Sequence, residues 1–156
     1  MPKLSAGILL YRRAASGLEV FLVHPGGPLW RDKDAGAWSI PKGEYGPEEE
    51  PLAAALREFE EETGVPLDDG GFHPLGNITQ KSGKVVSAWA REGNLDAGSI
   101  RSNTFSMEWP PRSGRMQEFP EVDHAGWFSL EGARTRLIES QHPLLDRLAE
   151  AVGKSG

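Results

Sequence analysis

The sequence predicts a mixed α/β or α+β domain in which β-strands are interleaved with two helical regions. Short apolar segments bounded by glycine, proline and charged residues recur along the chain, as is typical of strands. Two other segments, Pro51–Thr63 and Leu130–Val152, carry apolar residues at helical spacing. The length of 156 residues fits one domain spanning residues 1–156, which is large enough to bury a core.

The composition is that of an ordinary globular protein, with 38% hydrophobic and 26% charged residues. No apolar run approaches the roughly 20 residues that span a bilayer, so no membrane partner is expected. The first apolar run is too short for a signal peptide and lacks a small-residue cleavage site. Because the chain has no cysteine, disulfides and thiolate metal ligands are excluded. A cytoplasmic location is the resulting expectation.

The charge balance argues against an extended nucleic-acid partner. The formal net charge is −6, and no basic run of five or more residues occurs. Contact with a nucleic-acid backbone favours a positive surface. A small polyanion carried by a metal ion remains compatible with this charge, since the cation supplies the positive field. The sequence makes no prediction of oligomeric state.

The elements before the first helix are predicted from apolar runs and turn residues. The segments Leu4–Tyr11 and Leu18–Val23 read as a hairpin around Gly17. The stretch His24–Gly36 is dense in glycine, proline and charge, which is typical of a loop. A short strand is then predicted over Ala37–Ile40.

Four strand-like segments follow the first helix. They are Phe72–Thr79, Lys84–Arg91, Thr104–Trp109 and Gly126–Leu130. The first two are joined by a Ser82-Gly83 turn, and a Pro110–Gly114 loop follows the third. The last strand leads into the second helical region, Leu130–Val152, which Pro143 is expected to break or restart.

The segment Pro51–Thr63 is the clearest helix. Proline suits the first helical position, Gly64 suits the C-terminal cap, and Pro66 prevents continuation. One face carries apolar residues at i, i+3, i+4 and i+7 and is predicted to pack on the core: Leu52, Ala55, Leu56 and Phe59. A second face carries carboxylates at the same kind of spacing: Glu58, Glu61 and Glu62.

The acidic face is unfavourable unless something neutralises it. Like charges at i, i+4 destabilise a helix by a few tenths of a kcal/mol, and a divalent cation reverses that sign. Hard cations such as Mg²⁺ and Mn²⁺ bind carboxylate, water and phosphate oxygens. A solvated acidic face is the alternative for a lone acidic run. Here glycines, an arginine and a further glutamate stand at defined spacings around the run, which favours a metal site.

The surrounding residues complete a longer pattern. The segment Gly43–Val65 matches G-x5-E-x7-R-E-U-x-E-E-x-G-U, where U is apolar, at every fixed position. In this it resembles the Nudix hydrolases. The resemblance implies an α/β/α sandwich with a mixed central sheet, in which the motif forms loop, helix and loop. It also implies hydrolysis of a phosphoanhydride bond.

The resemblance assigns roles within the motif. Glu58 and Glu62 are expected to bind the metal, usually Mg²⁺ or else Mn²⁺, and Glu61 often joins them. The backbone carbonyl of Lys42 commonly completes such a site. Arg57 corresponds to the arginine that orients a motif glutamate, which fits the bidentate geometry of a guanidinium with a carboxylate; a generic surface salt bridge is its alternative.

A further acid is expected from outside the motif. Many family members take it from a loop ahead of a strand that begins with tryptophan, and Glu121 stands six residues before Trp127. It would serve as metal ligand or as general base. The neighbouring candidates, and an unspecialised surface loop, stay open as alternatives: Glu118, Asp123 and His124. The four histidines are scattered, and each is expected to have a surface or packing role.

Substrate choice is only partly indicated. Substrates of the family are typically nucleoside diphosphates linked to another group. The Pro41-Lys42-Gly43 approach to the motif resembles dinucleoside polyphosphate hydrolases, and much of the chain resembles a bacterial subgroup of predicted NTP pyrophosphohydrolases. Two alternatives are a nucleotide-sensing domain without turnover and an enzyme acting on RNA 5′ ends. The intact motif argues against the first, and the acidic charge argues against the second.

Three residues are predicted to contact the substrate. Lys42 would place its ammonium on a distal phosphate, with an exposed surface lysine as the alternative. Trp30 lies in the Gly/Pro loop, where an indole can stack on a base or pack beneath the loop. Arg31 is a candidate phosphate contact. The expected partner is therefore a small nucleotide, bound with its metal ion.

Overall fold

The computed structural model describes residues 3–68 and 70–152. Its strands are β1 (Leu4–Ala14), β2 (Gly17–Pro25), β3 (Lys42–Glu44), β4 (Phe72–Thr79), β5 (Val85–Glu92), β6 (Thr104–Glu108), β7 (Met116–Pro120) and β8 (Val122–Ser129). Its α-helices are α1 (Pro51–Thr63), α2 (Leu130–Arg136) and α3 (His142–Val152). Short 3-10 turns occur at Ala97–Ser99 and Glu139–Gln141. No described helix is long and apolar enough to cross a membrane.

The central sheet is mixed and six-stranded. Its order is β4-β5-β1-β2-β8, and β3 pairs with β1 on the same edge as β2. Strand β1 runs parallel to β5 and antiparallel to both β2 and β3. Strands β6 and β7 form a separate antiparallel hairpin. The long β1 therefore has one edge divided between two partners, and the motif strand β3 occupies the N-terminal half of that edge.

Helices cover both faces of the sheet, which explains why β1 is almost continuously apolar. Ile8 and Leu10 face α1, whose Ala55 and Phe59 close one core layer. Alternate β1 residues face the other layer, which includes α3. The members of that layer from α3 are Leu144, Leu145, Leu148 and Val152. The predicted α/β/α sandwich with a mixed central sheet is confirmed.

Helix α1 has the predicted bounds but a slightly rotated buried face. Pro51 begins it, and Gly64 ends it in a left-handed conformation with φ 77°. The buried residues are Ala54, Ala55, Phe59 and Thr63. Leu52 packs against that core, whereas Leu56 is only partly buried. Because Thr63 donates its hydroxyl to the Phe59 carbonyl at 2.7 Å, a polar residue is accommodated where the apolar pattern ends.

The strand predicted over Ala37–Ile40 is wrong. Only isolated bridges form there, between Val23 and Ser39 and between Trp38 and Leu137. A buried glutamine adds two hydrogen bonds to the backbone bonds that Trp38 and Ser39 make at these bridges. Gln141 accepts from the Ile40 amide and donates to the Ser39 hydroxyl, both at 3.1 Å. A side chain more than 100 residues away in sequence thus helps to hold the segment, and the local apolar pattern does not predict such a contact.

Three other elements differ from the sequence predictions. Strand β3 forms at the start of the motif, where a loop was expected, because it pairs with β1. Strand β7 was not predicted, because its residues are mostly exposed and pair only with β6. Strand β8 begins at Val122 rather than at Gly126, and its polar start is paired with β2. The expected interruption of the last helical region is confirmed: α2 ends at Arg136, and α3 restarts with Pro143 in its first turn.

Candidate active site

Strand β3 and helix α1 bring the motif glycine and the first motif glutamate together. Packing of α1 on β1, and pairing of β3 with β1, place Gly43 directly against the Glu58 carboxylate. A Cβ atom built on Gly43 would overlap that carboxylate, so only glycine leaves Glu58 its position. The Glu58 side chain is 12% exposed. Burial is the main reason that its pKa is raised.

Arg57 connects three carboxylates. Its guanidinium makes a bidentate contact with Glu49, with Nε and Nη2 donating at 2.8 and 2.9 Å. Its Nη1 donates to Glu58 Oε1 at 2.7 Å and to Glu61 Oε2 at 2.8 Å. These hydrogen bonds raise the pKa of Arg57, with the Glu49 contact the largest cause. The arginine therefore stays charged and fixes two acidic side chains of α1 in place.

Glu62 is the most strongly perturbed carboxyl group described. It keeps part of its surface open to a cavity, but its carboxyl is densely surrounded by protein, and burial raises its pKa to about 8. The Lys42 amide donates to Glu62 Oε1 at 3.4 Å. The pKa of the Lys42 ammonium is lowered by burial first and by Lys84 second. Desolvation outweighs the attraction between the two side chains, so both shift toward their neutral forms.

Glu121 reaches the same cavity from the connection between β7 and β8. Its carbonyl accepts from the Gly26 amide at 2.9 Å, and its amide donates to the Asn103 carbonyl at 2.8 Å. These bonds fix the short connection between β7 and β8. The pKa of Glu121 is raised by burial and by the charge of Glu61. Glu58 and Glu62 also lie within electrostatic range of Glu121.

The other acids considered near Glu121 are engaged elsewhere. Glu118 is exposed and accepts from the Thr104 hydroxyl at 3.2 Å. Asp123 accepts from ring nitrogens of His24 at 2.7 Å and His124 at 2.9 Å. Of the acids in this segment, Glu121 is the one whose side chain meets the α1 carboxylates.

Two cavities meet at Glu121. The first, here called the catalytic cavity, has a volume of about 150 Å³ and is lined by Ser39, Lys42, Glu62 and Glu121 together with apolar residues of β2 and β8. The second, the apolar cavity, has a volume of about 360 Å³. Its lining includes Leu29, Trp30, Phe105 and Met107. Trp30 is 40% exposed, and the β6–β7 hairpin supplies the opposite wall.

The three predicted substrate contacts are placed differently. Lys42 lines the catalytic cavity and Trp30 lines the apolar cavity. Arg31 is exposed and lines neither cavity. Phe105 and Met107 were missed as site residues, because the alternation of β6 gave a strand but no indication of what it faces.

His24 has a larger structural role than its sequence position suggested. It is buried, and its Nε2 contacts the Lys33 carbonyl at 2.5 Å while Nδ1 contacts Asp123. The side chain ties the 26–37 loop to the strand that follows Glu121. It has no free nitrogen to offer a metal, although His24, Asp123 and His124 are grouped closely enough to hold one.

The family model of the NUDIX domain matches residues 1–148, and the chain belongs to the Nudix family. Within that family its intact motif makes it a pyrophosphohydrolase, and Nudix hydrolases generally use divalent metal ions. No curated protein matches the chain by sequence.

Solved structures share the fold at low sequence identity. A Caenorhabditis elegans Ap4A hydrolase binary complex has a TM-score of 0.68 at 20% identity, with 97% of this chain and 98% of that chain covered. The NUDIX domain of Shewanella oneidensis NrtR complexed with ADP ribose has a TM-score of 0.64 at 17% identity, with 97% and 89% covered. A mutT/nudix family protein from Listeria innocua has a TM-score of 0.64 at 17% identity, with 99% and 97% covered.

Proposed function

We propose that this protein is a metal-dependent hydrolase of phosphoanhydride bonds in nucleoside diphosphate-linked compounds, principally nucleoside or dinucleoside polyphosphates. The observation that carries the proposal is a cluster of four acidic side chains within electrostatic range of one another. Glu62 and Glu121 line the catalytic cavity, and Glu58 and Glu61 lie beside them. Glu58, Glu62 and Glu121 have raised pKa values, mainly because burial disfavours their charged forms.

The donor set fits a hard divalent cation. Glu58 and Glu62 are the proposed principal ligands, with Glu61 beside them and the Lys42 carbonyl as a further oxygen. All of these atoms are oxygens, which suits Mg²⁺ or Mn²⁺. A bound cation would neutralise substrate phosphate oxygens and stabilise the leaving group. The close approach of Gly43 to Glu58 supports this assignment, because a Cβ atom at position 43 would occupy the space of the carboxylate.

Arg57 is proposed to position these carboxylates. Its contacts to Glu58 and Glu61 fix the two side chains before any ligand binds, and its bidentate contact with Glu49 fixes the guanidinium itself. Because Arg57 already holds these carboxylates in position, they do not have to move when the ligand binds or reacts.

Glu121 is proposed to accept the proton of the attacking water on a carboxylate oxygen. A bond forms between the water oxygen and phosphorus, the P–O bond of the anhydride breaks, and the leaving phosphate departs with the electron pair. The raised pKa of Glu121 brings its basicity closer to neutral pH, which suits a general base. Glu121 also lines the apolar cavity, which supports a reacting bond close to the proposed nucleoside site.

The two cavities suggest how the substrate lies. The apolar cavity offers Trp30 and Phe105 as stacking surfaces for a nucleobase. Lys42, in the catalytic cavity, is proposed to contact a phosphate beyond the reacting bond. An anionic phosphate beside Lys42 would also restore the charged form of a lysine that burial disfavours.

A substrate screen tests the proposal. Purified protein with Mg²⁺ or Mn²⁺ is incubated with NTPs, dinucleoside polyphosphates, nucleotide sugars, ADP-ribose and triphosphorylated RNA, and products are identified. We expect turnover of nucleoside or dinucleoside polyphosphates that stops when the metal is chelated. The Glu62→Gln variant is the matched control. Tight nucleotide binding without turnover of any compound would contradict the enzyme proposal.

A further inference from the structure

We propose that His24 is a positioning residue for nucleotide binding: through the Lys33 carbonyl it fixes the turn that presents the Trp30 indole to the apolar cavity. This inference deepens the proposed function and rests on it, because it concerns the cavity that is proposed to receive the nucleobase. His24 itself lines neither the catalytic cavity nor the apolar cavity. Its effect on the substrate therefore passes through Trp30.

The loop that carries Trp30 consists of consecutive turns. The Trp30 amide donates to the Gly27 carbonyl at 3.3 Å, and the Lys33 amide donates to the Trp30 carbonyl at 3.0 Å. Trp30 thus belongs to two turns at once, one that begins at Gly27 and one that ends at Lys33. Fixing those two ends fixes the direction in which the indole leaves the backbone.

Close packing fixes the first end of these turns. The Gly26 amide donates to the Glu121 carbonyl at 2.9 Å. A Cβ atom built on Gly27 would lie 2.9 Å from the Phe105 ring, and the φ angle of Gly27 is 97°, a conformation that favours glycine. The loop therefore starts in direct contact with Phe105, which lines the opposite wall of the apolar cavity.

His24 holds the second end. Its Nε2 lies 2.5 Å from the Lys33 carbonyl oxygen. Because a carbonyl group only accepts hydrogen bonds, this contact requires a proton on Nε2. The Lys33 ammonium, at the other end of the same residue, lies 5.3 Å from the centre of the Trp30 ring. The contact with His24 therefore fixes the residue that closes the second turn and that also stands over the indole.

A bulge in the central sheet orients the imidazole toward the loop. His24 pairs with His124 and Pro25 pairs with Val122, which leaves Asp123 as an extra residue in β8. Bulges redirect the side chains at which they occur. Here the Asp123 carboxylate lies 2.7 Å from Nδ1 of His24. This contact at Nδ1 leaves Nε2, on the far side of the ring, for the Lys33 carbonyl.

Burial keeps the imidazole in this orientation. His24 is 5% exposed, and the Trp38 indole packs edge-on against it with ring centroids 5.2 Å apart. Trp30, by contrast, is 40% exposed. An indole that is so little enclosed depends on its backbone for its position. The buried histidine thus supplies a restraint that the packing of Trp30 itself does not.

Two substitutions separate the two contacts of His24. Glutamine places an amide nitrogen near the position of Nε2 and can still donate to the Lys33 carbonyl, whereas asparagine places one near Nδ1 and can donate only to Asp123. Both variants lose the ring contact with Trp38. We expect His24→Asn to raise KM for ATP about 5- to 10-fold with kcat changed by less than about twofold, and His24→Gln to keep KM within about twofold of wild type. His73→Asn, at an exposed histidine outside both cavities, is the control and should change neither parameter.

The same substitution in a Trp30→Ala background distinguishes positioning of the indole from general support of the fold. Two residues that act through one another have non-additive effects. Because His24 is proposed to act through Trp30, His24→Asn should leave the KM of the Trp30→Ala protein unchanged. An equal increase of KM in both backgrounds would overturn the inference. A KM that rises as much in His24→Gln as in His24→Asn would also overturn it.

The outcomes separate this inference from the proposed function. If wild-type protein hydrolyses ATP and His24→Asn has the wild-type KM, the positioning role is wrong while the hydrolase proposal stands. If wild-type protein hydrolyses no nucleotide, the hydrolase proposal fails, and the Kd of ATP measured by calorimetry replaces KM in the same comparison. A Kd that is raised in His24→Asn and retained in His24→Gln would then support the inference. Equal Kd values, or no binding of ATP to any of the proteins, would overturn it.

Discussion

Replacing Glu62 by glutamine should stabilise the metal-free protein while removing its activity. The carboxyl group is densely surrounded by protein, and its pKa is raised to about 8 in the folded chain. Glutamine keeps the shape and an oxygen to accept from the Lys42 amide, but it has no charge to desolvate. Glu62 therefore lowers the free energy of unfolding of the metal-free protein, and its proposed role is to bind the metal.

The size of the effect follows from the pKa difference. In the unfolded chain Glu62 titrates near 4.5, and in the folded chain at about 8. The folded pKa is the higher one, so the stability associated with the protonated carboxyl is complete below pH 4.5 and is lost as the pH rises to 8. At pH 7, about 2.5 units above the unfolded pKa, the loss is at most about 3 kcal/mol. For a domain of this size that corresponds to roughly 6 to 12 °C in Tm.

The assay is denaturant unfolding of wild-type and Glu62→Gln proteins in EDTA from pH 4.5 to 8, repeated with excess Mg²⁺. In EDTA the variant should be the more stable protein, and its advantage should grow as the pH rises. In Mg²⁺ only the wild-type protein should gain stability, by about 2.7 kcal/mol at a hundredfold excess over Kd. If the variant is no more stable than wild type in EDTA at pH 7, Glu62 is not a destabilising, desolvated carboxylate in the metal-free protein.

Three further substitutions probe the other parts of the site. Gly43→Ala puts a methyl group into the space of the Glu58 carboxylate, so steady-state kcat should fall about 10²-fold while circular dichroism stays native; an unchanged kcat would contradict the close packing. Arg57→Lys retains charge but loses the bidentate contact, and metal affinity by calorimetry should weaken about 10- to 100-fold. Trp30→Ala should raise KM for ATP roughly 5- to 100-fold, and the increase should be similar for adenine and guanine nucleotides. Trp109 lies outside the apolar cavity, so Trp109→Ala should leave KM unchanged. Equal KM values in the two variants would contradict base stacking on Trp30.

The motif region was predictable because its information is local. The bounds of α1 follow from Pro51 and Gly64, and the spacing of Arg57 and the glutamates places them on one side of the helix. The structure adds how they are held: the absence of a Cβ atom at Gly43 and the four-point contact of Arg57. The sequence spacing makes these contacts possible, but it does not predict them.

The parts that were missed depend on residues far apart in sequence. Gln141 helps to hold Ser39 and Ile40, where a strand was expected, and no residue near them in sequence predicts this contact. Strand β7 gains its structure from β6 rather than from an apolar face of its own. The polar start of β8 at Asp123 is accommodated by His24 from β2. Pairing across the sheet, rather than local periodicity, determines these elements.

The wall opposite Trp30 illustrates the same limit for the substrate site. Phe105 lies about 75 positions further along the chain, and its contribution to the apolar cavity depends on the folding of the β6–β7 hairpin. The same holds for a cavity of about 480 Å³ whose lining includes Gln80 and Ser140, which come from separate parts of the chain. The reaction class was therefore accessible from one contiguous motif, whereas the shape of the substrate path required the tertiary structure.

Phosphorus-31 NMR of diadenosine tetraphosphate with wild-type and Glu62→Gln proteins tests the central claim most directly. With Mg²⁺ the wild-type protein should convert the substrate to two nucleotide products, and EDTA should stop the reaction. The Glu62→Gln protein, folded and at equal concentration, should be slower by at least about a hundredfold. Wild-type rates in the variant, or turnover that persists in EDTA, would contradict a metal centre on the carboxylates of α1.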